Sequence, residues 1–338
     1  MEHPVTFQFR PNIEKMKGYT PGFQPAEKNV IKLNTNENPY PPSPRVMEAI
    51  RSIPEESLRK YPPIFCDPFR RLAAPILGVT PDQIACGNGG DELLALLTRC
   101  CCDQDHPLAY PVSTYTLYPI LAEIQDARVI EIPFGPDYQL PADLKTTGAG
   151  LTILCNPNAP SGSLVDLDAV ADLARSLRGV LLIDEAYVDF SERNCLPLLK
   201  NFDNIAILRT LSKGYSLAGL RFGFVIASPR IIEAIFKVKD SYNVNAVTQV
   251  AAQAALADQD YFRENVRKVV AERRRLTEAL RRLGFRVQDS HTNFVLAQIS
   301  SPPARQVYEL LQQRQIFVRY FDYEGLKDKL RISIGTPQ

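Results

Sequence analysis

The sequence has little of what metal centres, membranes and nucleic acids require of their proteins. Three histidines, His3, His106 and His291, are scattered through 338 residues. That is too little imidazole for a zinc or iron site, and no metal is expected. No apolar run approaches the roughly 20 residues of a membrane helix. The opening residues, with Glu2, Pro4 and Arg10, lack the apolar core of a secretion signal. Basic and acidic side chains, 39 and 38, nearly cancel to a formal charge of +1. Nucleic acid and anionic membrane are therefore not expected as partners, since each asks for a pronounced basic surface. A small anionic ligand needs only a local cluster and stays open. Internal repeats and low-complexity tracts are also missing, which excludes a solenoid.

Seven cysteines fall at positions 66, 86, 100, 101, 102, 155 and 195, with no Cys-x-x-Cys pair. An odd number so spaced makes a poor disulfide framework and points to a reducing, cytoplasmic setting. The run Cys100–Cys102 closes the apolar segment Leu93–Thr98 and is expected to be buried as small hydrophobes. No nucleophile elbow is present to anchor a Ser-His-Asp site.

What is present is an ordinary globular composition, 45% hydrophobic and 23% charged. It is long enough for one large core and a second, smaller domain. Short apolar runs alternate with helical patterns through the middle of the chain. Gln83–Gly87, Leu108–Tyr110, Ala127–Ile132, Leu151–Asn156, Val180–Asp184 and Ile205–Thr210 read as strands. Helical stretches begin at Asp91 and cover Leu117–Ile124 and Val165–Leu177. This alternation predicts an α/β fold with a mostly parallel central sheet, buried on both faces.

Beyond about residue 240 the pattern changes. Phe262, Val266, Val269, Leu276, Leu280 and Leu283 mark one face of a long helix whose other faces are charged and solvated. A strand (Phe294–Gln298), a helix (Ala304–Arg314), a strand (Ile316–Arg319) and a last strand (Leu330–Ile334) follow. The expected division is an N-terminal arm and part of the small domain over 1–45, a large domain over 46–245, and a small α+β domain over 246–338. The arm, rich in Pro, Gly and Asn, is expected to wrap onto a domain or a partner subunit. The sequence stops at Gln338 directly after a strand, where a C-terminal helix is expected to be missing.

Three segments carry chemistry together. Val180–Asp184 is a buried strand ending on an acid, with Tyr187 three residues on. Ile205–Thr210 runs into the hydroxyl-rich turn Thr210-Leu-Ser212-Lys213, and Arg221 follows. Gly87-Asn-Gly-Gly90-Asp91-Glu92 is a glycine turn opening a helix. Ligands of open α/β sheets bind beyond the carboxyl ends of the strands, where all three segments put their polar residues. Backbone N–H groups at Gly90–Asp91 offer a phosphate cradle. Thr210 and Ser212 add hydroxyl donors, and Arg221 adds a bidentate cation. A carboxylate at Asp184 suits a protonated pyridine nitrogen, Tyr187 suits a phenolic ring oxygen, and Lys213 suits an aldehyde as imine partner and later general base. Any one of these features alone is commonplace. Their order, with Ser212-Lys213 following Asp184 by 29 residues, points to pyridoxal 5'-phosphate.

These residues resemble the fold type I, class II pyridoxal-phosphate-dependent aminotransferases. The likeness rests on Asp184-Glu-Ala-Tyr187 and Thr210-Leu-Ser-Lys213-Gly-Tyr-Ser-Leu-Ala-Gly-Leu-Arg221-Phe-Gly. It extends to Leu33-Asn-Thr-Asn-Glu-Asn-Pro39, Arg59-Lys-Tyr61-Pro, Gly89-Gly-Asp-Glu92, Thr114-Tyr115 and Leu330-Arg331-Ile-Ser-Ile-Gly-Thr336. The first and last of these added segments narrow it to the branch that transaminates histidinol phosphate with 2-oxoglutarate, forming glutamate. The resemblance implies that Lys213 holds the cofactor as a Schiff base, Asp184 pairs with its pyridinium and Tyr187 holds its ring oxygen. It implies that Tyr115 stacks on the ring and that Gly90, Asp91, Ser212 and Arg221 bind the phosphate. It also implies a homodimer in which Tyr61 reaches the neighbouring subunit's phosphate, and a substrate anion site at Tyr19, Arg319 and Arg331.

One departure stands out. The family's usual Asn-Asn-Pro-Thr-Gly is Asn158-Ala159-Pro160-Ser161-Gly162 here, so Ala159 replaces the asparagine that normally helps hold the ring oxygen. Asn158 or Asn156 is expected to substitute, or Tyr187 to act with less help. Two other activities share the scaffold, a lyase similar to threonine-phosphate decarboxylase and an aromatic amino-acid aminotransferase. A cofactor-sensing regulator is disfavoured because no DNA-binding extension is present.

Overall fold

Gly223, between Arg221 and a run of apolar residues, shows how the chain builds its centre. In the computed structural model, which describes residues 7–19, 22–25 and 30–338, Gly223 opens a strand that lies between the glycine turn and the lysine turn. Its register pairs it with Gly87 on one side and Thr210 on the other. A Cβ at this position would come within 2.9 Å of Gly89 and Gly90 backbone atoms, so only glycine permits the approach.

The strand belongs to a seven-stranded sheet. From one edge its order is Ile84–Gly87, Gly223–Ala227, Ile205–Thr210, Val180–Asp184, Leu151–Cys155, Leu108–Val112 and Val129–Pro133. Gly223–Ala227 runs against both neighbours and every other pairing is parallel. The sequence reading omitted this strand, though its five apolar residues are all buried. The other strands form where short β-rich runs predict them. The near-continuous burial of Ile84–Gly87, Leu151–Cys155, Val180–Asp184 and Ile205–Thr210 is what a sheet covered on both faces requires.

Two apolar cores flank the sheet. One includes Phe69, Ile183, Ile207 and Phe222, and the other Leu93, Leu97, Tyr118 and Val225. The helix Ala246–Ala257 contributes Ala251, Ala252, Ala255 and Leu256 to the first core. It packs against Pro44–Arg51 and Asp67–Leu77. Its alanine-rich surface permits close packing but gives no sequence signal of which domain it joins.

A four-stranded antiparallel sheet forms the smaller unit, in the order Arg319–Tyr320, Lys329–Ser333, Phe294–Gln298, Arg286–Val287. The long helix Gln259–Arg282 covers it, burying Val269 and Leu280, while Leu283 at its end is exposed. The single strand expected over Ile316–Arg319 is divided. Ile316–Phe317 pairs with Ile31–Lys32 of the N-terminal segment, and Arg319–Tyr320 joins the four-stranded sheet. Cys100 and Cys101 are half-buried and only Cys102 of that run is fully buried; all seven cysteines are free. No helix among the described residues is long and apolar enough to cross a membrane. His3 lies outside the described residues.

Candidate active site

Strand polarity gathers the polar residues at one edge of the large sheet. Asp184, Thr210, Cys155 and Gly87 each end a strand there, and a cavity of about 300 Å³ opens above them. The N-terminal segment 34–36 and the small-domain strands close its other side.

At the floor sits Asp184, 3% exposed. The Tyr118 hydroxyl donates to its Oδ2 at 2.8 Å and the Ala186 N–H to its Oδ1 at 3.0 Å. Burial pushes its carboxyl up to about 6, against the pull of those two donors. No basic side chain pairs with it among the described residues. A buried carboxylate without a cation is costly, and a cationic ring nitrogen answers that cost.

Lys213 lines the same cavity. Its Nζ lies 3.5 Å from the Thr35 carbonyl and 5.7 Å from the Tyr187 ring centre. Burial, helped by Arg331, lowers its ammonium to about 8. The ammonium form still predominates near neutral pH, but the neutral, nucleophilic amine is far more accessible than in an ordinary lysine. Asn38 holds the turn by donating to the Lys213 and Gly214 carbonyls at 3.0 and 3.2 Å. Gly214 itself sits against the Asp189 side chain, where a Cβ would not fit.

The opposite end suits a phosphate. The helix Gly90–Cys101 points its N-terminus into the cavity after Gly89, whose φ of 91° favours glycine. Arg221, itself at φ 52°, lays its guanidinium where a side chain at 89 would stand and pairs with Asp91 at 3.0 Å. The Thr210 and Ser212 hydroxyls lie 3.0 Å apart beside it. Tyr115 forms a wall, edge-on to Tyr118 at 5.7 Å and to Tyr19 at 6.1 Å. A ring with a cationic nitrogen at Asp184, an aldehyde at Lys213 and a phosphate at Arg221 fits this donor set.

At the mouth, Arg319 and Arg331 are cross-strand partners, so their side chains share a face. Arg331 lies over Phe294 and Phe321 at 5.3 and 5.6 Å and donates to the Asn34 carbonyl at 3.0 Å. Its Nε is buried without an acceptor. Neither arginine has a carboxylate partner among the described residues, and burial with the neighbouring Arg319 lowers the Arg331 guanidinium. Two adjacent cations without a counter-charge favour an anion beside them.

Three residues named from the sequence are not among those lining the cavity. Asn158 accepts from Thr114 at 2.9 Å and donates to Ser113 and Ser161 at 3.1 and 2.8 Å, which commits its amide to the loop. Asn156 is likewise engaged with Val165. Neither lines the cavity, whereas Ala159 does. Tyr61 stands outside this cavity, 79% exposed and stacked on Tyr242 at 4.3 Å.

Sequence reading missed Tyr118, Asn36, Asn38 and Ser333. Tyr118 stands three residues after Tyr115, and the alternation Asn34-x-Asn36-x-Asn38 was a visible signal whose targets were not. Among the described residues no acid, histidine or cysteine cluster suits a metal.

The sequence model of the family described as aminotransferase class I and II matches residues 28–338. A histidinol-phosphate aminotransferase of Nostoc sp. is 47% identical over 99% of this chain and 95% of its own. One from Rhodopirellula baltica is 44% identical over 97% and 92%. The crystal structure of histidinol-phosphate aminotransferase from Sinorhizobium meliloti in complex with pyridoxal-5'-phosphate superposes with a TM-score of 0.88. That match has 28% identity and covers 99% of this chain and 95% of the other.

Proposed function

Since the chain belongs to the class I and II aminotransferases, and within them to the histidinol-phosphate aminotransferases, we propose that it transfers the amino group of histidinol phosphate to 2-oxoglutarate. The products are imidazole-acetol phosphate and glutamate, and the step serves histidine biosynthesis. Bound pyridoxal phosphate supplies the electron sink that makes a Cα–H acidic.

The chain's own residues do the rest. Lys213 Nζ would hold the cofactor's aldehyde carbon and, once freed by the substrate's amine, would serve as the base for the substrate's Cα proton. Asp184 keeps the ring nitrogen protonated, and Tyr187 donates to the ring oxygen. Gly90, Asp91, Thr210, Ser212 and Arg221 anchor the phosphate while Tyr115 covers the ring. Arg319, Arg331 and Tyr19 receive the substrate's anionic end. The observation that carries the substrate reading is the arginine pair at the mouth. A planar fork accepts phosphate from one substrate and carboxylate from the other without rearranging.

We further propose a cytoplasmic homodimer in which Tyr61 completes the partner's phosphate site. An exposed apolar surface including Leu58, Tyr61, Ile64 and Phe65 supports this reading. A groove of about 330 Å³ runs beside it, between Tyr61 and Gln249.

A half-reaction screen tests the substrate. Histidinol phosphate and glutamate should each bleach the visible band of the loaded enzyme. Bleaching by phenylalanine but not histidinol phosphate overturns the assignment in favour of an aromatic aminotransferase. Steady CO2 release from threonine phosphate without a keto acid would make the protein a lyase.

A further inference from the structure

Ala159 removes one donor from the neighbourhood of the cofactor's ring oxygen, and neither Asn156 nor Asn158 supplies another. The structure places a different amide close by. Asn36 Nδ2 lies 2.9 Å from the Tyr187 hydroxyl oxygen, and the two residues are 151 positions apart in sequence.

The orientation of that amide is determined by its other bonds. The Asn36 backbone N–H donates to Ser333 Oγ at 2.9 Å, which leaves the Ser333 proton for Asn36 Oδ1 at 3.0 Å. The Asn36 carbonyl accepts from Asn293 at 2.9 Å. With Oδ1 committed as acceptor, Nδ2 must face Tyr187 and donate to it. The Tyr187 oxygen then accepts, and its own proton is free to point into the cavity. Asn36 is held at φ 56°, a left-handed conformation that asparagine tolerates, and both Asn36 and Ser333 are fully buried.

We infer that Asn36, locked by Ser333, is a positioning residue that makes Tyr187 a one-way donor to the cofactor's ring oxygen and so stands in for the donor lost at Ala159. The inference rests on the proposed function, because it takes the ring oxygen as the acceptor Tyr187 faces. A hydroxyl that accepts one hydrogen bond donates the next more strongly. Burial raises the Tyr187 phenol to about 12, so it carries its proton throughout the working range. The charged or titratable groups around it are Lys213, Arg331, Asp184, Cys155 and Tyr115. Of its hydrogen-bond partners among the described residues, Asn36 is the one that donates to it. The chain thereby links the large-domain cofactor site to Asn293 and Ser333 of the small domain.

The test reads the pH at which the visible chromophore of the lysine-bound cofactor titrates. A donor to the ring oxygen favours the deprotonated form, so losing one raises the midpoint. Asn36→Gly keeps the left-handed backbone and its two main-chain bonds while deleting the amide. It should raise the midpoint by about half to one pH unit, the scale of one hydrogen bond. Ser333→Ala, which frees the amide to turn, should shift it the same way by less. Tyr187→Phe should raise it at least as far, and adding Asn36→Gly to that variant should change nothing further. An unmoved midpoint in both Asn36→Gly and Ser333→Ala overturns the inference. So does an Asn36→Gly shift that persists undiminished in the Tyr187→Phe background, because Asn36 would then act elsewhere. A Tyr187→Phe midpoint equal to the parent's overturns the placement of the ring oxygen beneath it instead.

Discussion

Replacing Asp184 by asparagine should stabilise the empty protein and cripple the loaded one. The reasoning begins with a carboxyl displaced from 3.8 to about 6 by burial. Between about pH 4 and 6 the folded chain keeps a proton that the unfolded chain has released. Stability therefore falls as pH rises through that window, and the loss is complete above it. Two pH units correspond to about 3 kcal/mol. Asparagine has no charge to bury and can still accept from Ala186 and meet the Tyr118 hydroxyl. Its own desolvation takes back part of the gain, leaving an advantage of about 1–3 kcal/mol above pH 6. Thermal melts of cofactor-free parent and Asp184→Asn over pH 4–8 measure this as a few degrees, shrinking toward pH 4. Asp189, also raised to about 6 by burial, titrates in the same window, so only the difference between the two proteins isolates Asp184. With cofactor bound the sign reverses. The ring nitrogen loses its counter-ion, and removing one partner of a buried pair costs about 3–5 kcal/mol, or roughly 10²–10⁴-fold in kcat/KM. An empty variant no more stable than its parent at pH 8, or a loaded one within about threefold in kcat/KM, would refute the reasoning.

Cofactor capture by the empty protein should quicken as pH rises through about 8, because burial and Arg331 lower the Lys213 ammonium to that value and only the free amine attacks an aldehyde. A flat rate between pH 6 and 9, followed by stopped-flow absorbance, would contradict it. If Tyr61 completes the neighbouring site, mixing Lys213→Ala and Tyr61→Ala chains and letting subunits exchange should yield more activity than either alone. Hybrid dimers contain one site with both residues intact; mixtures no better than the sum of their parents would argue for sites built within a single chain.

Much of the site was legible because its parts are local. Asp184 at a strand end, Lys213 in the turn after the next strand and Gly90 at a helix start are each defined by a few neighbouring residues. Strand polarity in an α/β sheet then brings all such ends to one edge. The packing partner of the helix after residue 245 was less legible. Ala246–Ala257 has the alanine content of a helix, but the surface it covers, beside Phe69 and Phe222, is set by residues far away in sequence. The partners of the Asn158 amide were hidden for a related reason, since an amide near the cavity points wherever its nearest partners hold it.

The sequence by itself determined the family, the sheet-forming runs and the identities of the lysine, the aspartate and the two arginines, because side-chain chemistry and short-range spacing are written directly in the chain. Only the tertiary structure decided which groups meet. Arg319 and Arg331 share a face through antiparallel register, and Asn36 reaches Ser333 across 297 positions and Tyr187 across 151. Such meetings depend on how two separately formed cores dock. A hydrogen bond that forms at about 3 Å and fails a little beyond leaves no periodic trace in the residues that make it.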